Sequence, residues 1–182
     1  MKGIIFTSFV EFAEHQFGVE FVDEMFETVA TSTSGAYTSV GTYSAEELLA
    51  LIGFIQTRQD VDVAALTRAF GQYTFKVLVD HYSRLVSDFD DSFDCIYHVD
   101  QVIHKSVLKL YPDAELPNMN ATLSDRGNQL MLEYRSSRPL MHVAHGLILG
   151  CVAHYGDSVD VHMNDLSNGT GTHAEFILTR HD

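Results

Sequence analysis

The sequence predicts an α+β chain, with a helical N-terminal lobe followed by a smaller α/β lobe built on an antiparallel sheet. Three observations predict it. Up to residue 110, apolar side chains recur every three or four positions, the period of a helix. Beyond Pro117, short apolar runs are bounded by the turn-forming clusters Asp125-Arg126-Gly127-Asn128 and Asn168-Gly169-Thr170-Gly171. Helices come first and strands later, which argues against alternating βαβ units. The 182 residues suit a single domain, 1–182, mainly helical over residues 1–112 and with a helix plus antiparallel strands over residues 113–182.

Each element has its own signal. Ile5, Phe9, Phe12 and Ala13 mark a first helix that Gly18 stops. Val22, Met25, Phe26 and Val29 mark a second. Residues 31–42, rich in Thr, Ser and Gly, read as a loop. Ser44 with Glu47 predicts a capping box that opens a helix carrying Leu48, Leu51, Ile52 and Ile55. Asp62 is placed to cap the next, with Leu66, Phe70, Tyr73 and Val77 facing inward. Residues 93–110 predict one further helix with Ile96, Val99, Ile103, Val107 and Leu110 on one stripe, ended by Tyr111-Pro112. Residues 121–124 and 129–136 predict a strand pair, 141–155 an apolar helix, and 159–163 and 174–179 two more strands.

Composition narrows the partners. Eleven Lys and Arg against 25 Asp and Glu give a formal net charge of −14, which repels nucleic acid and anionic lipid. The longest apolar run, residues 146–153, falls well short of the roughly 20 residues that span a bilayer. The start of the chain lacks a sustained apolar segment and a cleavage site, so a cytoplasmic protein is expected. Cys95 and Cys151 are too few for a disulfide framework or a cysteine metal site.

Three groups of residues stand out chemically. Tyr134, Ser136 and Arg138 alternate, so an extended chain would point all three the same way over about 13 Å. Two hydroxyls and a guanidinium suit anionic oxygens, and arginine grips a carboxylate through two parallel N–H bonds. An ordinary polar strand end accounts for the same residues. His104 flanks the apolar stripe of its helix, where a neutral imidazole can ligate a metal or simply sit as a core histidine. His142 and His145 share a helix face and His154 lies on roughly the same side, which leaves a zinc site conceivable or three solvated imidazoles. No phosphate loop, nucleophile elbow or HExxH motif is present, and nothing points to a hydrolase.

Taken together, Met1-Lys2-Gly3 with Ile5, a helix carrying His104, Pro117 and then Tyr134-x-Ser136-x-Arg138 resemble the bacterial H-NOX domain over essentially the whole chain. H-NOX is the haem nitric oxide/oxygen binding family, related to the sensor domain of soluble guanylate cyclase. The resemblance implies haem b held between the two lobes. It implies His104 as proximal iron ligand, Tyr134, Ser136 and Arg138 on the propionates, and Ile5 and Pro117 pressing the porphyrin out of plane. Oxygen-stable members carry a distal tyrosine nine residues after the motif tyrosine, where this chain has Val143. A distal pocket of Ile5, Phe9, Thr74, Leu78 and Val143 is mainly apolar, so the resemblance implies binding of NO and CO and poor binding of O2. The cysteine-rich zinc site of some relatives is not carried over, and His162 and His173 stay unassigned.

The chain stops directly after its last predicted strand, which leaves no room for an output domain. The expectation is therefore a sensor, not an enzyme, acting on a separate partner. In the family that partner is a histidine kinase of a two-component system or a cyclic-di-GMP enzyme. Loosening of the iron–His104 bond by NO would free the helix of residues 93–110 and let the lobes rotate. The competing expectations are a cofactor-free adaptor with His104 in its core, a zinc protein built on His142, His145 and His154, and a peroxidase-like enzyme. The last lacks distal acid–base groups.

Overall fold

The structure, a computed structural model, describes residues 1–181. Helix α1 (Gly3–Phe17) places Phe6, Phe9, Phe12 and Ala13 inward and stops at Gly18, whose φ of +89° favours glycine. Helix α2 (Val19–Thr28) buries Val22 and Met25. Residues 31–42 contain no helix or ladder strand, only a bridge from Thr42 to Lys2. Helix α3 (Ala45–Gln59) starts at Ser44, whose hydroxyl accepts from the Glu46 N–H at 3.2 Å. The predicted capping box closes only halfway. The Glu47 carboxylate instead accepts the Tyr37 phenol at 2.9 Å, tying the preceding loop to the helix.

Helix α4 (Val63–His81) is capped by Asp62, whose carboxylate accepts from the Ala64 and Ala65 N–H groups at 3.3 and 3.0 Å. Leu66 and Phe70 are buried on it, while Tyr73 and Val77 are half-buried. The four helices close around Phe6, Phe9, Phe70, Met25, Leu48, Leu51 and Ile55, all fully buried.

The single helix expected over residues 93–110 is three pieces: α5 (Ser92–Tyr97), a π-helical stretch (Val99–His104) and α6 (Lys105–Leu110). The stripe is compatible with the break. Val99, Ile103 and Val107 step by four residues per turn, more than the 3.6 of an α-helix. A widened turn keeps them on one face, and all three line the same cavity. Proline at 112 ends α6, with Tyr111 already out of helical conformation.

Four strands form an antiparallel sheet in the order β1-β2-β4-β3, where β1 is Asn118–Leu123, β2 Gln129–Arg135, β3 Val159–Asp165 and β4 His173–Arg180. The register sets Leu130 opposite Leu178, Leu132 opposite Phe176 and Tyr134 opposite Ala174. These six side chains are buried and form the inner face. Helix α7 (Met141–Tyr155) crosses between this face and α4. Gly71 and Gly146 let α4 and α7 touch backbone to backbone. A Cβ on Gly146 would fall on the Arg68 carbonyl, and one on Gly71 on the Val143 carbonyl. That close crossing fixes the side of α7 that carries Val143 and Leu147 relative to the helices.

Candidate functional site

A cavity of about 330 Å³ lies between α4, α7, the broken α5–π–α6 segment, residues 111–119 and the inner face of β2. Its size is in the range of small-molecule and cofactor sites, and its walls are almost wholly aliphatic and aromatic. Its polar side chains are few and fall into distinct groups.

The first is His104. The π stretch ends at this residue, and its ring is largely buried with the side chain 14% exposed. Nδ1 lies 3.1 Å from Oδ1 of Asp100, one turn earlier. A carboxylate only accepts, so the Nδ1–H donates. Nε2 has no hydrogen-bond partner among the described residues, and the side chain lines the cavity. Burial lowers the His104 pKa, although the Asp100 hydrogen bond opposes it. The result is a neutral imidazole with one nitrogen fixed and the other free to ligate.

The second is the Tyr134, Ser136 and Arg138 group. The sequence suggests one extended strand through Arg138, but β2 ends at Arg135. Ser136 Oγ accepts the Arg138 N–H at 3.1 Å, and this local bond bends the chain. All three side chains still line the same cavity, because the bend brings Arg138 back over it. Tyr134 is buried, which raises its phenol pKa, while the Ser136 hydroxyl beside it pulls the other way. Arg138 is only 13% exposed, and its guanidinium donates to both the carboxylate and the backbone carbonyl of Glu115, the latter at 2.9 Å. A largely buried arginine at the edge of an apolar cavity is thus held in carboxylate-binding geometry.

The other expected residues divide. Ile5, Leu78, Pro117 and Val143 line the cavity. Phe9 and Thr74 do not. Phe9 packs edge-on against Phe70 at 5.1 Å, and the Thr74 hydroxyl donates to the Phe70 carbonyl at 2.9 Å. Both belong to the packed layer behind the wall, because their positions on α1 and α4 face the aromatic core. With the Thr74 hydroxyl satisfied there, Ile5, Leu78 and Val143 give apolar wall, while Lys2, Tyr82 and Tyr111, the two phenols 3.3 Å apart, add polar groups the sequence reading did not place in the lining.

His142, His145 and His154 do not converge. Nδ1 of His142 and of His145 is buried without a partner, the His145 ring lies 5.7 Å from Phe176, and His154 packs on Phe75 and Tyr155. No group of three or more His, Cys, Asp or Glu side chains able to hold a metal ion occurs among the described residues. His162 pairs with Asn164, and His173 with Glu133, both at 3.0 Å.

Two residues of the site escape the sequence reading. Asp100 carries a visible signal, an aspartate four positions before a histidine on one helix. Glu115 carries none, since its place is set by the loop between α6 and β1. Cys95 and Cys151, both buried and free, also line the cavity.

The profile of the family described as haem-NO-binding matches residues 2–163. This chain belongs to that family. The solved structures agree over the whole chain. An H-NOX protein from K. algicida, in its Fe(II) unliganded state, is 32% identical, with a TM-score of 0.93, over 100% of this chain and 97% of its own. An H-NOX from Shewanella woodyi in the Fe(II)CO state is 35% identical, with a TM-score of 0.83, over 100% and 95%. One from S. oneidensis in the Fe(II)NO state is 28% identical, with a TM-score of 0.92, over 100% of both chains. Curated protein sequences give no match. The chain is therefore a haem-binding gas-sensor domain of the H-NOX family, with the family's α+β fold, and is not itself an enzyme.

Proposed function

We propose that this H-NOX domain holds haem b through His104 and senses nitric oxide and carbon monoxide in preference to dioxygen, signalling to a separate protein. The observation that carries the reading is that one apolar cavity has a buried imidazole with a free nitrogen in its wall and a Tyr/Ser/Arg group at its rim. This donor set fits a flat apolar ring that bears one metal and two carboxylates. When bound, haem supplies a ferrous iron that takes a diatomic gas.

The rest is work for the chain. His104 would give its free nitrogen to the metal. Arg138 would exchange Glu115 for a propionate, with the Tyr134 and Ser136 hydroxyls donating beside it, each such bond contributing about 1.5–3 kcal/mol. Ile5 and Pro117 are the residues that would press on the ring. Ile5, Leu78 and Val143 offer no hydrogen-bond donor, so dioxygen, which gains superoxide-like charge on binding, is not helped, while NO and CO need little help.

The cavity draws Ile5 and Leu78 from the helical segment before residue 112, and Pro117, Tyr134 and Arg138 from the segment after it. Release of His104 would therefore change how the two segments sit against each other. Moving such an equilibrium from 1:99 to 99:1 needs about 5.5 kcal/mol of differential affinity. A histidine kinase or a cyclic-di-GMP enzyme is the proposed receiver and the cytoplasm the proposed setting, in keeping with the net charge of −14 and two free cysteines. Absorption spectra of the ferrous protein test the reading. We expect distinct NO and CO complexes and no lasting complex in air. A stable oxy complex would overturn the ligand order, and protein that stays colourless after growth with ample haem would favour an adaptor.

A further inference from the structure

The same pairing occurs twice in a short stretch of chain. Asp94 meets His98 across one turn, with Oδ1 at 2.9 Å from Nδ1, and Asp100 meets His104 across the next at 3.1 Å. The two pairs are chemically alike and differently placed. The His98 side chain is 41% exposed, its Nδ1 also approaches the Asp94 carbonyl at 3.0 Å, and its ring stacks on Phe89 outside the cavity. The His104 side chain is 14% exposed and lines the cavity. Asp94 has other work, since Oδ2 accepts the Asp90 N–H. Asp100 has no partner besides His104 among the described residues. It sits in a π-helical stretch, a distortion that recurs at functional sites, in which no side chain is fully buried.

We propose that Asp100 is a positioning residue for His104 that sets how firmly this histidine stays on its metal. The inference rests on His104 being the iron ligand. A carboxylate that accepts the Nδ1–H fixes the tautomer, so Nε2 is the only nitrogen available. It also orients the ring toward the cavity and makes the free nitrogen a better donor. Ile103, packed against the sheet-side core, places the stretch, and this bond turns the ring within it. Asp100 thereby acts against the loosening that a gas such as NO produces, and so sets the dose at which the sensor responds. Its half-exposed position costs the fold little, so it can be changed without collapse.

The test is resonance Raman spectroscopy of the unliganded ferrous protein, with wild type, D100N, D100A and D94N compared. We expect the iron–histidine stretching band to shift to lower frequency in D100N and further in D100A, and to stay in place in D94N. On mixing with NO, the rate of histidine loss should rise in the same order, by roughly tenfold for D100A, the low end of the scale on which loss of such a partner weakens metal binding. A D100A band at the wild-type frequency overturns the proposal and leaves His104 as the ligand. So does an equal shift in D94N, which would make the effect one of helix stability. Absence of any iron–histidine band in the wild type instead overturns the ligand reading beneath it.

Discussion

The aromatic cluster among α1–α4 and the cavity between α7 and the sheet are built from the same kind of residue and do opposite things. In the first, Phe9 and Phe12 meet Phe70 at 5.1 and 5.7 Å, Phe6 meets Tyr37 at 4.7 Å, and the largest side chains are fully buried. In the second, Ile5, Leu78, Val99, Ile103 and Ile148 face one another across about 330 Å³. A closed core gains from each contact its rings make. A cavity that receives a cofactor leaves its wall side chains to pack on that group, and needs a frame that holds the walls apart. The backbone contact of Gly71 with Gly146 and the inner row of β2 and β4 supply that frame. Polarity then divides roles: the closed core has its Thr74 and Ser8 hydroxyls satisfied on nearby carbonyls, whereas the cavity keeps a free nitrogen and a cation.

The largest expected effect is His104→Gly. The variant should lose the histidine-ligated ferrous spectrum altogether and recover it with added imidazole, because the cavity is otherwise intact. Next is a substitution in the closed region: Phe70→Ala should cost about 3–5 kcal/mol of stability in a urea titration, as deletion of a buried ring does. It should leave the iron–histidine band unchanged. A Phe70→Ala protein that unfolds normally but binds haem poorly would erase the distinction between the two regions. Smaller again, Arg138→Ala should speed haem transfer to a scavenging apoprotein by roughly ten- to a hundredfold, the worth of one charge-assisted bond. An unchanged rate would confine Arg138 to its Glu115 pair.

How far the sequence reveals these regions follows the same division. The closed core is periodic, and the three- and four-residue spacing marks Phe9, Phe12 and Ala13 on α1, Leu48, Leu51, Ile52 and Ile55 on α3, and Leu66 and Phe70 on α4, but it misses Phe6 and marks Ile5, which lines the cavity. Helix α7 and the hairpin turn at 125–128 are equally legible, from apolar content and from Gly127. The cavity is less so, because residues that pack on a bound group and residues that pack on each other share the same apolar composition. His104, Tyr134, Ser136 and Arg138 stand out as polar groups beside apolar runs, but spacing alone does not separate them from a core histidine and an ordinary strand end; the resemblance to H-NOX singles them out. The π stretch cannot, since steps of four residues differ little from an α-helix on paper. Phe9 and Thr74 look like pocket residues by position; in the structure Phe9 packs on Phe70, the Thr74 hydroxyl bonds back along α4, and neither is in the lining of the cavity.

The smallest expected effect is an acid response in the packing of α7. His145 lies on α7 against Phe176 of the inner sheet, and burial first, then Arg68 and the neighbouring histidines, lower its pKa from 6.5 to about 4. The folded state therefore prefers the neutral ring. Above pH 6.5 neither state is protonated and the group costs nothing. Between pH 6.5 and about 4 the unfolded chain takes up a proton that the folded chain refuses, so stability falls with falling pH across that window. His142, whose pKa is lowered chiefly by burial as well, adds in the same direction. Both histidines lie on α7 beside Arg68 of α4, so the acid cost falls on the packing of α7 between α4 and the sheet. Urea midpoints measured over this range should fall more steeply for wild type than for His145→Gln, whose amide does not titrate, with some of the slope kept through His142. Equal slopes in the two proteins would mean that the ring is solvated when folded, and that it places no acid cost on the packing of α7.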